Sequence, residues 1–153
     1  MQIRSFKPED AEGVKTLITS IMGNEYSAEA KAYQYGDLDD ISGAYSKLRE
    51  KFLVVEENST IIGTAGIKED SESIALLRRL FVHPSHRVRG MGSMVVDTVL
   101  DFCKMNHYKQ VVFRATSTMQ AAIKLLTKKK GFVEKERYFF DNVEIVMLHY
   151  KIH

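Results

Sequence analysis

The chain has 153 residues, 44% apolar and 27% charged, the values of one ordinary globular domain able to bury a full core without staples. A formal charge of +2 is too small to mark a nucleic-acid binder, and no apolar run approaches the ~18 residues of a membrane span. Cys103 is the only cysteine, which excludes an intrachain disulfide. The opening Met1-Gln2-Ile3-Arg4-Ser5-Phe6 runs straight into charged residues rather than the apolar core of a signal peptide, so a cytoplasmic location is expected.

Ile3 and Phe6 alternate with polar residues and predict a short first strand. Lys7-Pro8-Glu9-Asp10 is a turn leading into a helix, with proline and acids where a first turn favours them. Val14, Leu17, Ile18 and Ile21 repeat at helical spacing, and Gly23-Asn24 should stop the run. Residues 27–50 predict a second helical segment broken near Gly36 and Gly43. Its tyrosines, Tyr26, Tyr33, Tyr35 and Tyr45, are open to two readings, lid residues over a cleft or amphipathic packing. Phe52 to Glu56 and Ile61 to Ile67 are β-rich runs joined by a hairpin signal at Glu57-Asn58-Ser59-Thr60. Gly63 and Gly66 inside the second run imply a bulge or a close backbone approach.

The strand from Ser73 to Val82 leads into His83-Pro84-Ser85-His86-Arg87-Val88-Arg89-Gly90-Met91-Gly92-Ser93, a turn, a glycine-containing loop and a helix start. The first N–H groups of a helix have no intrahelical partners and carry partial positive charge, and Arg87 and Arg89 add cations beside them. That is the chemistry of a phosphate site. It is not a P-loop, because no lysine follows Gly92, nor a dinucleotide fingerprint, because position 95 is Val95 rather than glycine.

The following helix, about residues 90–106, puts Met91, Val95, Val99 and Cys103 on one face, so Cys103 reads as a small core residue rather than a nucleophile. Lys109 to Thr116 is a strand. Ser117 or Thr118 should cap a helix that buries Ala122, Leu125 and Leu126 and ends at Gly131. Lys128, Lys129 and Lys130 in its last turn read either as cations complementing the helix dipole or as an RNA contact. Phe132 to Phe140 and Val143 to Ile152 are terminal strands around an Asp141-Asn142 turn. The order predicts a mixed sheet with helices on both faces, an α/β (α+β mixed-sheet) class, in a single domain over 1–153.

Arg87-x-x-Gly90-x-Gly92 after Leu80-x-Val82-x-Pro84 resembles the acetyl-coenzyme A signature of the GNAT superfamily of N-acetyltransferases, written Gln/Arg-x-x-Gly-x-Gly/Ala. A second block, Gln120-x-x-Ile123-x-x-Leu126-Thr127-x-x-x-Gly131-Phe132, resembles the family's Asn-x-x-Ala-x-x-Leu-Tyr-x-x-x-Gly-Phe, with glutamine for asparagine as in some members. The resemblance covers the element order of essentially the whole chain.

That resemblance implies a GNAT-like fold in which the strand ending at Val82 splays from the strand containing Val111. Acetyl-CoA is the implied cosubstrate, its pantetheine along Leu80, Phe81 and Val82. Its pyrophosphate would lie on the amides of Arg87, Val88, Arg89, Gly90, Met91, Gly92 and Ser93, and Gln120 would add a contact. Acetyl transfer to an amine builds an oxyanion, for which the N–H of Phe81 or Val82 is the candidate donor. The reaction also asks for a base and an acid. The family's tyrosine acid falls at Thr127, so Tyr138 stands as a candidate acid and Glu72, near Asp70, as a candidate base. Arg78 or Arg79 is a candidate acceptor contact through a bidentate carboxylate pair, against the alternative of a surface salt bridge.

The expected partners are a small-molecule, amino-acid-like or peptide amine acceptor and a second copy of the chain through the terminal strands, with no nucleic acid and no membrane. The expected reaction is direct transfer in a ternary complex; the alternative is a scaffold that binds acyl-CoA with little or no catalysis. His83 and His86 flank a turn without a third or fourth ligand, so no metal is expected.

Overall fold

The computed structural model describes residues 1–30 and 34–153. Strands β1 (Gln2–Ser5), β2 (Lys51–Glu57), β3 (Thr60–Glu69), β4 (Ile74–Val82), β5 (Gln110–Thr116), β6 (Val133–Phe140) and β7 (Val143–Lys151) form one sheet in the order β1-β2-β3-β4-β5-β7-β6. Every pairing is antiparallel except β4 with β5. The helices are α1 (Ala11–Glu25), α2 (Ser27–Ala30), α3 (Ile41–Ala44), α4 (Met91–Met105) and α5 (Gln120–Lys124). The mixed sheet and the element order predicted from the sequence are both present.

The hairpins form where turn chemistry predicts them. Asn58 and Ser59 have φ of 52° and 64°, and Asp141 and Asn142 have φ of 48° and 63°, the positive values that two-residue turns between twisted strands require. Helix α4 buries Met91, Val95, Val96, Val99 and Cys103, as its period dictates, each apolar side chain contributing about 1.5–3 kcal/mol. Burial pushes the Cys103 thiol up to about 12, so it packs and does not react.

Three local expectations are corrected. Helix α1 runs through Gly23-Asn24 to Glu25. The described residues between 27 and 50 hold short pieces, α2, a 3-10 turn (Gly36–Asp39) and α3, whose capping Asp40 accepts the Gly43 N–H at 3.0 Å. Tyr33 lies outside the described residues, whereas Tyr45 is core. Neither Ser117 nor Thr118 caps the fifth helix. Met119 occupies that position without a side-chain bond, and after Lys124 the helix widens into a π turn over Leu125–Lys129.

The feature that organises the site is a bulge in β4. Gly66 pairs with Arg78 and Thr64 with Phe81, so Ala65 alone opposes both Arg79 and Leu80. Arg79 adopts φ +54°, and its carbonyl accepts the buried Thr64 hydroxyl at 2.7 Å. The parallel ladder with β5 ends one residue earlier, at Leu77↔Phe113. Beyond that point β4 bends away and the two strands fork, as the resemblance implied.

Candidate active site

The bulge is pinned from the segment before β2. Arg79, 6% exposed, donates from Nε to Asp37 Oδ2 at 3.0 Å, bonds Oδ1 through Nη2, and reaches the Gln34 carbonyl at 2.5 Å. Tyr45 donates its hydroxyl to the same carboxylate at 2.7 Å. Burial pushes the Asp37 carboxyl up, but the Arg79 guanidinium and the Tyr45 hydroxyl outweigh it and hold the group below the usual range. Burial and the Asp37 charge both push the Tyr45 phenol up. The ring lies on Gly66, where a Cβ would come within 2.8 Å of Cε1. At Gly66 the close approach is by the Tyr45 ring rather than by backbone, and the bulge falls on the neighbouring strand β4.

Two clefts open at the fork. One, about 590 Å³, runs between Val82, the start of α4 and α5, and includes Arg87, Gly90, Gly92, Ser93 and Leu125. The other, about 630 Å³, lies over β4 and β5 and includes Arg78, Arg114, Thr116 and Tyr138. Leu80, Phe81 and Met119 line both. A third hollow, about 940 Å³ between α1 and the β2–β3 hairpin, lies away from the fork, and three of its carboxylates are paired, Asp10 and Glu56 with Arg4 and Glu25 with Arg87.

In the first cleft, Met94 N–H bonds the Gly90 carbonyl at 3.1 Å, so the N–H groups of Met91, Gly92 and Ser93 precede the first helical bond. Gly90 has φ +75° with no atom within 4 Å of where a Cβ would stand, leaving open ground before those amides. Gly92 is packed instead: its Cβ would lie 3.1 Å from Leu125 Cδ2. Lys128 and Lys129 line the same cleft, and Lys130 pairs with Asp97 at 2.8 Å. Free helix amides facing two lysines fit an elongated anionic group such as the diphosphate of a coenzyme.

Pro84–Arg89 is a 3-10 turn, opened by a bond from the His86 N–H to the His83 carbonyl at 2.9 Å. Arg87 lines the first cleft and is already paired. It makes a two-pronged pair with Glu25, at 2.5 and 2.7 Å, and donates from Nε to the Val82 carbonyl at 3.0 Å. Arg89 is exposed, 3.8 Å from Glu57.

The Val82 backbone follows from the ladder. His83 N–H bonds the Ile62 carbonyl at 2.8 Å, and bonded and non-bonded pairs alternate in an antiparallel ladder. Val82, opposite Gly63, therefore turns its N–H away from β3 toward the fork, whereas Phe81, opposite Thr64, turns its own toward β3.

Other expected residues fall less centrally. Gln120 is exposed and bonds the Ser117 carbonyl beside the cleft rather than lining it. Glu72 is exposed in the β3–β4 turn, outside both clefts, where its carbonyl accepts from Arg49 at 2.6 Å. Thr127 returns its hydroxyl to the Ile123 carbonyl at 2.7 Å. Tyr138 does line the second cleft. Sequence reasoning missed Glu29, which lines that cleft near Met119 and accepts the Thr118 hydroxyl at 3.0 Å. A lone glutamate in a four-residue helix carries no pattern that could have revealed it.

Among the described residues no group of three or more histidine, cysteine, aspartate or glutamate side chains is placed to hold a metal ion. No helix there is long and apolar enough to cross a membrane.

A sheet forked between its parallel strands, with a helix start at the fork, is the architecture of known acetyltransferases. A GNAT-family acetyltransferase from Staphylococcus aureus Mu50 superposes with a TM-score of 0.86 at 21% identity, covering 99% of each chain. A putative acetyltransferase from Salmonella typhimurium, solved with its cofactor acetyl-CoA, superposes at 0.80 with 17% identity, covering 100% of this chain and 94% of that one. The chain belongs to the acetyltransferase (GNAT) family, whose model matches residues 14–132. Similar curated proteins include rat N-acetyltransferase 8B, 34% identical over 67% of this chain and 49% of its own length. Human N-acetyltransferase 8 is 30% identical over 68% of this chain and 48% of its own. The chain thus spans about half the length of the curated relatives it matches.

Proposed function

We propose that the protein transfers acetyl from acetyl-CoA to a primary amine, directly, with both reactants bound together. The observation that carries this reading is that two separately lined clefts meet at Leu80, Phe81 and Met119, so a donor in one and an acceptor in the other touch at a single point. The coenzyme supplies the activated acetyl thioester. Met91, Gly92 and Ser93 offer amides to its diphosphate, with Lys128 and Lys129 opposite. The Val82 N–H, directed into the fork, is placed to donate to the carbonyl oxygen as negative charge develops there. Glu29 and Tyr138 are the acceptor-side groups for proton movement, in place of Glu72 and Thr127.

Thr127 supports one rival reading, a scaffold that binds the coenzyme without turnover, because its hydroxyl is held by the helix backbone. Thiol release from acetyl-CoA over a panel of small-molecule and peptide amines separates the two. Transfer predicts acceptor-dependent release; tight coenzyme binding with release from no amine selects the scaffold. We also take β6 as the surface of a homodimer, since it is the sheet edge and exposes Phe139 and Phe140. A monomer mass in light scattering at micromolar concentration removes that part.

A further inference from the structure

The second cleft carries information about what the acceptor amine is attached to. The parallel ladder ends with Leu76↔Val112 and Leu77↔Phe113, and Arg78 and Arg114 are the first residues past it, one on each arm of the fork. Side chains alternate along a strand, so Arg78 shares the face of Leu76 and Arg114 that of Val112. Both line the acceptor cleft. Neither has a hydrogen-bonded or ion-paired partner among the described residues.

Three of the nearby acids are engaged. Asp37 holds Arg79 and Tyr45, Glu50 lies 3.6 Å from Lys68, and Glu69 lies 3.7 Å from Arg49. Asp70 also lines the cleft, just beyond the Glu69↔Ala75 pair, three residues back along β4 from Arg78. Two cations lining one cleft raise the local concentration of an anion there. Two guanidinium forks on neighbouring strands suit a carboxylate, which accepts two parallel N–H bonds from each planar donor.

The position also sets a length. Arg78 lies two residues before Leu80, at most about 7 Å away since the bulge at Arg79 shortens the strand, and an arginine side chain spans most of that. An anion held by Arg78 and an amine at the Leu80–Phe81–Met119 junction are then only a few bonds apart. We propose that Arg78 and Arg114 bind a carboxylate of the acceptor, so that the substrate is an amino-acid-type compound rather than a simple amine. This rests on the acetyl-transfer reading above.

The test measures thiol release from acetyl-CoA with matched pairs, each amino acid against its own carboxamide, for the wild type and for Arg78→Gln and Arg114→Gln. Binding of acetyl-CoA is measured alongside. The ratio of kcat/KM for acid over carboxamide should favour the acid in the wild type and fall by about tenfold or more in each variant. Differences in amine basicity cancel when that ratio is compared between proteins. A wild-type preference for the carboxamide, or a ratio unchanged in both variants, overturns the carboxylate site and leaves acetyl transfer standing. Coenzyme binding with release from none of the pairs overturns both.

Discussion

At the level of single residues, the Asp37–Arg79 pair ties the bulge to the segment before β2. Arg79 holds a left-handed backbone at the bulge, and its charge is almost fully buried, so removing Asp37 takes away the carboxylate its guanidinium is buried against. Asp37→Ala should destabilise the fold by about 3–5 kcal/mol in urea unfolding; a loss under about 1 kcal/mol would show that the pair does not anchor the bulge. The pH dependence has a definite sign. The folded Asp37 and Asp10 carboxyls both lie below their ordinary values, Asp37 against its burial and Asp10 chiefly through the Arg4 hydrogen bonds. Their stabilisation is complete above the unfolded value of about 3.9 and is lost as pH falls through the lower folded values. A melting series from pH 7 to pH 3 should show an acid-side decline that Asp37→Asn flattens while lowering stability at neutral pH. None of this was legible in the sequence. Arg78-Arg79 read there as two equivalent candidates, and only the bulge separates a structural arginine from one that faces a cleft.

At the level of elements, the strands and helices were largely readable because their apolar periods are strong, whereas the departures from regularity were not. The bulge in β4 and the π turn after Lys124 are both set by tertiary contact. Thr64 satisfies the Arg79 carbonyl across the sheet, and that contact is invisible to a local pattern. Thr64→Val keeps shape and β preference but strands that carbonyl. It should cost about 1–3 kcal/mol and lower acetyl transfer out of proportion to stability, checked by urea midpoints beside thiol release. Likewise the glycine loop read as an anion site in the sequence, whereas the Glu25 pair of Arg87 and the two lysines that line the same cleft carried no signal of that site there. The proposed coenzyme site draws on the amides of 91–93 and on those lysines. Gly92 sits at the neck between Leu125 and Val82, so Gly92→Leu should raise the acetyl-CoA dissociation constant by about tenfold or more with the helical circular-dichroism signal retained. Unchanged affinity in isothermal titration would move the coenzyme elsewhere.

For the whole molecule, the sheet order and the chain's membership of the acetyltransferase (GNAT) family agree with the class expected from composition, signature and element order. The second cleft was the least legible region. Its walls include parts of α2, β5 and β6, and Glu29, Arg114 and Tyr138 are far apart in sequence and come to one cleft only when β5 lies between β4 and β7. Steady-state kinetics belong at this scale. With the single thiol buried in α4, no cysteine is available to hold the acetyl group between half-reactions. Double-reciprocal plots against acetyl-CoA at several acceptor concentrations should therefore intersect; a parallel family would demand a covalent intermediate and a nucleophile elsewhere.

The forked strands also bear on traffic through the protein under the proposed transfer. The two clefts share only Leu80, Phe81 and Met119 among their lining residues, so in that reaction neither reactant would have to back out past the other. Spent coenzyme could then depart while the modified product is still seated, or the reverse. Product-inhibition patterns should then resemble those of a building with two doors rather than one corridor, and the order of entry would be set by affinity rather than by blocked passage.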